Sequence, residues 1–162
     1  MARANPEVDY VADLLRLRET YPKLSPSQRL NIIRQRLEDH HFGPNRLVTS
    51  VSAVEGLARS LVIRLDAKGK GQEALAKAYR RHEKSSAKNL VEQYLLKKAK
   101  VRPEEHFGEE TWKLFCHAEN FRNLVVHECT YLGIDKFPSL ISACEEVLEG
   151  LVRMAKIRER RT

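Results

Sequence analysis

The segment Arg122-Asn123-Leu124-Val125-Val126-His127 places three side chains of complementary chemistry within about two helical turns. Imidazole is the side chain best suited to exchanging protons near neutral pH. A guanidinium adds a permanent charge and a planar fork of donors that can hold a phosphate while negative charge builds on it. An amide can orient either the phosphate or the imidazole. Together the three suit cleavage of an RNA chain by attack of a ribose 2′-hydroxyl on the adjacent phosphorus. A plainer reading stands beside it, with Arg122 paired to Glu119 or Glu128 and His127 a satisfied interface histidine.

These residues belong to a segment, 109–132, whose periodicity predicts a helix ended by Gly133. At about 100° per residue, Leu114, Ala118, Phe121, Leu124, Val125, Cys129 and Leu132 fall in one arc, expected to face the core. Glu119, Asn123, His127 and Thr130 gather on the roughly opposite side, with Asn123 and His127 as i, i+4 neighbours. Arg122 lies at the margin of that polar stripe. Trp112, Phe115 and Val126 share the stripe's side, and a helix apolar on two sides is expected to be covered on both. A second copy of the chain is the economical cover, because twofold homodimers are the commonest soluble assembly. Trp112, Phe115 and Val126 are therefore the expected dimer contacts, and two polar stripes would meet across the axis.

The remaining pattern is helical throughout, with no alternating strand signal. Helices are expected over about 6–20, stopped by Tyr21-Pro22, and over 26–41, opened by Ser25 with Pro26 at the first helical position and Gln28 completing a capping box. Phe42-Gly43-Pro44-Asn45 reads as a break. A third helix, capped by Thr49 or Ser50, carries an apolar stripe from Val51 to Leu65 and ends at Lys68-Gly69-Lys70-Gly71. A fourth region spans 72–100, with a kink expected near Ser85-Ser86. Residues 101–108 read as a loop, and Pro138 opens a last helix with apolar residues from Leu140 to Val152. The expected fold class is all-α, with a bundle over 47–162 and a two-helix amino-terminal extension over 1–46.

Lys and Arg outnumber Asp and Glu by 29 to 22, a net charge of +7 that attracts polyanions. In the fourth region Lys77, Arg80, Arg81, Lys84 and Lys88, interleaved with Tyr79, could follow an RNA backbone as Tyr94 further along could; a solvated basic face is the bland alternative. Glu55 and Arg59, i and i+4 and flanked by Ser52, read as a surface ion pair rather than as cleft residues. Cys116, Cys129 and Cys144 form no CxxC pair, so reduced thiols are expected rather than a zinc site or disulfides. His40, His41, His82, His106 and His117 lack metal-ligand spacing, and no metal or cofactor is expected. With no leader-like apolar segment and no apolar run of about 18 residues, a soluble cytoplasmic protein without membrane contact is the expectation.

Arg122, Asn123 and His127 also fit the R-(x4–6)-H motif, in the form with Asn after the Arg, and the chain resembles HEPN domains (higher eukaryotes and prokaryotes nucleotide-binding). The motif stands on the penultimate helix of an all-α chain, before an apolar helix, and the resemblance covers roughly 47–160. It implies a four-helix up-and-down bundle that dimerises and brings two motifs into one composite cleft. It further implies a metal-independent endoribonuclease leaving 2′,3′-cyclic phosphate ends, acting as a toxin or in antiviral or other RNA-restriction defence. Arg122 and His127 would be catalytic and Asn123 would support them. Some relatives of this kind carry His-x-Tyr, whose Tyr is modified by a partner nucleotidyltransferase; here Cys129 holds that place and Tyr131 lies two residues beyond it. As a toxin it would have an antitoxin or other regulatory partner protein; the alternatives are a non-catalytic HEPN module that binds RNA, a nucleotide or a protein, and a helical interaction protein that is itself an antitoxin-like partner of another chain.

Overall fold

The computed structural model describes residues 9–38, 43–129 and 133–159. Every regular element among them is helical: α1 (Tyr10–Thr20), α2 (Pro26–Leu37), α3 (Pro44–Asp66), α4 (Gly71–His82), α5 (Ala87–Ala99), α6 (Pro103–Phe107), α7 (Glu109–Glu128) and α8 (Phe137–Ala155). Short 3-10 turns, Tyr21–Lys23 and Ile134–Lys136, follow α1 and precede α8. The fold is all-α. Among the described residues, no helix is long and apolar enough to cross a membrane.

Helix α3 is the axis of the molecule and touches α2, α4, α5, α7 and α8. Leu47, Val51, Val54, Leu57, Ala58, Leu61 and Val62 recur at three- and four-residue intervals and are buried. Leu90, Val91, Tyr94 and Leu95 of α5, Trp112 and Phe115 of α7, and Phe137, Ile141, Leu148 and Leu151 of α8 close around them. Each large side chain so enclosed contributes about 1.5–3 kcal/mol. The start of α3 is earlier than expected. Pro44 occupies its first turn behind Gly43, because Leu47 extends the apolar stripe one turn upstream. Thr49 and Ser50 therefore lie inside the helix, and the Ser50 hydroxyl is buried without a partner among the described residues.

Helix α2 begins at the expected capping box: Gln28 N donates to Ser25 Oγ (3.2 Å) and Ser25 N donates to Gln28 Oε1 (2.8 Å). Its Leu30 and Ile33 join the same apolar core as α3. Arg34 donates to Glu149 of α8 (2.5 Å) and to Glu159 beyond it (2.6 Å). Residue 46, the expected end of a separate extension, falls in the first turn of α3. His40 and His41, at the expected end of α2, lie outside the described residues.

The expected fourth region is two helices. His82 ends α4, and Ser86 caps α5 by accepting from Asn89 N (3.2 Å). A serine that can cap a new helix competes with continuation of the old one. Residues 103–107, expected in a loop, form α6, which Pro103 opens and Gly108 ends at φ 90°. The Phe107 ring stacks on Trp112 and packs so closely on α8 that a Cβ at Gly150 would lie 2.5 Å from it. The described part of α7 ends at Glu128, and Cys129 adopts a left-handed conformation (φ 49°), short of the expected Leu132. Gly133 (φ 77°) then lets the chain pass the Phe121 ring, which a Cβ there would strike at 2.3 Å.

Asp66, the last residue of α3, fastens two other helices. His82 Nε2 of α4 lies 2.8 Å from its Oδ2, and Lys97 Nζ of α5 donates to Oδ1 at 2.5 Å. Burial pushes this carboxyl up, but the hydrogen bonds from Lys97 and His82 and their charges outweigh that and hold it below its ordinary 3.8. A depressed carboxyl stabilises the fold above its ordinary value, and the contribution disappears as pH falls through the lower folded value. Denaturant melts of the wild type are therefore expected to lose stability as pH falls below about 4, with a shallower loss in Asp66→Asn. Parallel curves for the two proteins would show that Asp66 carries no such linkage.

Candidate functional site

Helix α7 carries one continuous stripe from the core to the surface: Trp112, Phe115, Glu119, Arg122 and Val126, at alternating three- and four-residue steps. Trp112 is 4 % exposed, Phe115 0 %, Glu119 8 % and Val126 52 %. The stripe expected to face a second copy is thus the inward face over its first three turns. Trp112 and Phe115 are core residues of this chain, stacked on each other with ring centroids 5.3 Å apart, and are not available to a partner. The reason is α6: Phe107 covers Trp112 from the side that the sequence left open. Leu114, Phe121 and Val125 are only partly buried, and Leu124, expected in the core, is exposed. Val126 alone of the three expected interface residues is free to meet another surface.

Glu119 belongs to the inward stripe and not to the polar one. Its Oε1 accepts from Ala87 N (2.9 Å) and its Oε2 from Lys88 N (3.4 Å), so a carboxylate of α7 caps the first turn of α5. An acid at a helix amino terminus satisfies orphan N–H groups and complements the dipole. Sequence spacing offered Glu119 to Arg122; the fold gives it to α5.

Arg122 pairs instead with Glu55 of α3. Arg122 Nη2 donates to Glu55 Oε2 at 3.0 Å, and Arg59 Nη2 donates to Glu55 Oε1 at 2.6 Å. The side chains of Glu55, Arg59 and Arg122 retain 21 %, 12 % and 18 % exposure. This is no surface pair. Arg59 also donates to His82 O (3.2 Å) and Ser85 O (3.3 Å), taking up carbonyls at the corner between α4 and α5. Two guanidinium groups share one carboxylate, so the cluster holds one positive charge in surplus. Arg122 Nε is buried and has no hydrogen-bond partner among the described residues.

Asn123 and His127 are exposed, i and i+4 on the outer side of the same helix. Five residues separate Arg122 from His127, about 140° around the axis, and within one chain the two side chains diverge. Leu124 and Val126 beside them, and Ile134 after the turn, are exposed apolar residues. Thr130 and Tyr131 lie outside the described residues. Ser52 is exposed on α3. A cleft of about 660 Å³ between α6 and α8, lined by His106, Phe107, Glu145, Glu146, Glu149 and Arg153, includes none of the motif residues.

The other candidate residues sort clearly. Lys77, Arg81, Lys84 and Lys88 are exposed. Arg80 and Tyr79 line a trough of about 500 Å³ against Leu15, Pro22 and Lys23, and Tyr94 is 2 % exposed, so Tyr94 offers no stacking platform beside the cations. The Cys144 thiol is pushed up to about 12 by burial, and burial also raises Cys116, while Cys129 is exposed. Among the described residues no three His, Cys, Asp or Glu side chains gather as metal ligands.

No family model matches the chain, and no curated protein or solved structure matches it either.

The Glu55–Arg122 pair lies between surface pairs, worth about 0–1 kcal/mol, and fully buried ones, whose breakage costs about 3–5 kcal/mol. Glu55→Ala and Arg122→Ala are each expected to lower stability by about 1–3 kcal/mol in urea titrations. The double variant should lose distinctly less than the sum, since either substitution already breaks the pair. Strict additivity would mean that the two side chains do not interact in solution.

Proposed function

We propose that this protein is a metal-independent endoribonuclease of the HEPN type, working as a homodimer, with His127 as the proton-transfer group and Arg122 as the phosphate-holding cation. The observation that carries the reading is a juxtaposition on α7: the Glu55–Arg59–Arg122 cluster, with its surplus positive charge, stands one residue from the exposed Asn123–His127 pair. A guanidinium fixed by a carboxylate needs no reorganisation to meet a phosphate, which is the condition for electrostatic stabilisation of a transition state.

The chemistry is attack of a ribose 2′-oxygen on the adjacent phosphorus. The base removes the 2′-proton, the P–O5′ bond breaks, and the departing 5′-oxygen receives a proton. The products are a 2′,3′-cyclic phosphate and a 5′-hydroxyl, with no net uptake of water. A single His127 would have to serve both proton transfers, whereas two copies supply a base and an acid. Because Arg122 and His127 diverge around one helix, the dimer also supplies an Arg122 opposite each His127. Exposed Val126 and Leu124, beside the pair, are the apolar surface through which two α7 helices would meet. A toxin or RNA-restriction role, held in check by an antitoxin or other regulatory protein, follows from the family resemblance.

A second reading has its own observation: Arg122 is already engaged by Glu55, as a structural residue would be. On that reading the domain binds RNA, a nucleotide or a protein without turnover.

Purified protein incubated with mixed RNA in EDTA is expected to give fragments ending in 2′,3′-cyclic phosphate. His127→Ala and Arg122→Ala should each lower the rate by 100-fold or more (on the order of the ~10²–10⁴ of a general acid–base group), and Asn123→Ala by less. Wild type and both variants behaving alike would overturn the catalytic assignment, and RNA binding without cleavage would establish the second reading.

A further inference from the structure

The positive surplus of this chain is concentrated in one hairpin. Residues 68–102 contain eleven Lys and Arg against three Glu, a net +8, while the whole chain carries +7. The rest of the molecule is therefore close to neutral. Within the hairpin the cations differ in what they do. Lys97 is bound to Asp66 and Arg80 lines the trough beside α1. Lys77, Arg81 and Lys84 stand at i, i+4 and i+7 on one exposed edge of α4 and the turn after it, and none makes an ion pair or hydrogen bond among the described residues. Glu73, one turn earlier on α4, and Glu83, at its carboxyl end, are exposed too and bond to none of them. Elsewhere Arg34, Arg46, Arg59 and Arg122 all hold carboxylates.

The row does not end in open solvent. Lys88 follows it at the start of α5, exposed and only loosely paired with Glu92 at 3.9 Å. There Glu119 of α7 grips the backbone of Ala87 and Lys88. Glu119 lies one helical turn before Asn123, and Asn123 one turn before His127. Arg59 fixes the corner between the two helices from the other side, through His82 O and Ser85 O, and binds the same Glu55 that holds Arg122. The cationic edge and the motif helix are thus parts of one hydrogen-bonded frame.

We propose that Lys77, Arg81 and Lys84, continued by Lys88, form a track for the phosphate backbone of single-stranded RNA that leads the strand onto the α7 stripe carrying Asn123 and His127. The inference rests on the endoribonuclease reading for its destination, not for its binding surface. Unpaired cations spaced along a helix displace the counterions condensed on an RNA backbone when they neutralise its phosphates, and this drives backbone binding without sequence preference. A single strand is the appropriate ligand because attack by a 2′-oxygen in line with the departing 5′-oxygen needs a backbone free to rotate, which an A-form duplex constrains.

The test is fluorescence anisotropy with a fluorescein-labelled 20-nucleotide oligouridylate and full-length His127→Ala protein, which removes turnover. On that background K77Q/R81Q/K84Q is compared with K98Q/K100Q/R102Q, which removes the same charge from the far end of the same hairpin. The first set is expected to weaken binding at least tenfold and to reduce the slope of log K against log salt by about 2, at ~0.7 per phosphate contact. The second should change affinity less than threefold. Equal weakening by both sets, or no binding by the protein with the row intact, overturns the proposal. Cleavage assays on otherwise wild-type protein separate the two readings. Binding through the row without any cleavage leaves the track standing and removes the nuclease; cleavage with unchanged KM in K77Q/R81Q/K84Q does the reverse.

Discussion

A helix enclosed by five others has little water to solvate its charges, and α3 carries several. Glu55, Arg59 and Asp66 each lie at the margin of its buried face, where an unpaired charge is costly. Their partners come from elsewhere in the chain: Arg122 from α7, His82 from α4, Lys97 from α5, and the carbonyls of His82 and Ser85 from the corner between α4 and α5. The apolar stripe of α3 brings the neighbours in, and the need to satisfy its few charges sets where each of them stops along the axis. Hydrophobic burial is non-directional; these polar contacts supply register.

Helix α7 shows the consequence most directly. Its stripe begins among stacked aromatic rings and ends on exposed Val126, with Glu119 and Arg122 between. At that transition the protein places a carboxylate that caps α5 and a guanidinium held by α3. Glu119 is buried and its charge is met by the backbone N–H groups of α5, whereas Arg122 keeps some exposure and escapes the full penalty of a dry interior. The Glu55 contact fixes Arg122 at that transition, beside the exposed Asn123 and His127.

Much of the helical pattern was legible from residue order, because apolar periodicity and capping chemistry are local. The capping box of Ser25 and Gln28, the stripe from Val51 onward and the run from Leu140 to Val152 all appear where spacing puts them. Boundaries moved where a local signal had a competitor: Pro44 opens α3 ahead of Thr49, and Ser86 divides a basic region that reads as one helix. The short α6 was missed because five residues are too few for periodicity to register, although Pro103 and two following acids marked its start. At the site, the pairing of Asn123 with His127 was visible as an i, i+4 relation. The burial of Trp112 and Phe115 was not, since a helical wheel shows which residues share a side but not what covers that side.

By itself the sequence determined that the chain is helical, that its charge surplus is positive, and that Arg122, Asn123 and His127 share one helix. Those follow from propensity, composition and a fixed rise and turn per residue. Only the tertiary structure decided that Glu55 rather than Glu119 or Glu128 meets Arg122, that Glu119 serves α5, and that Arg122 turns inward while His127 turns out. Each of those depends on which remote backbone and side chains α3 gathers around itself. Partners 67 or 32 residues apart are chosen by packing, which no spacing along the chain encodes.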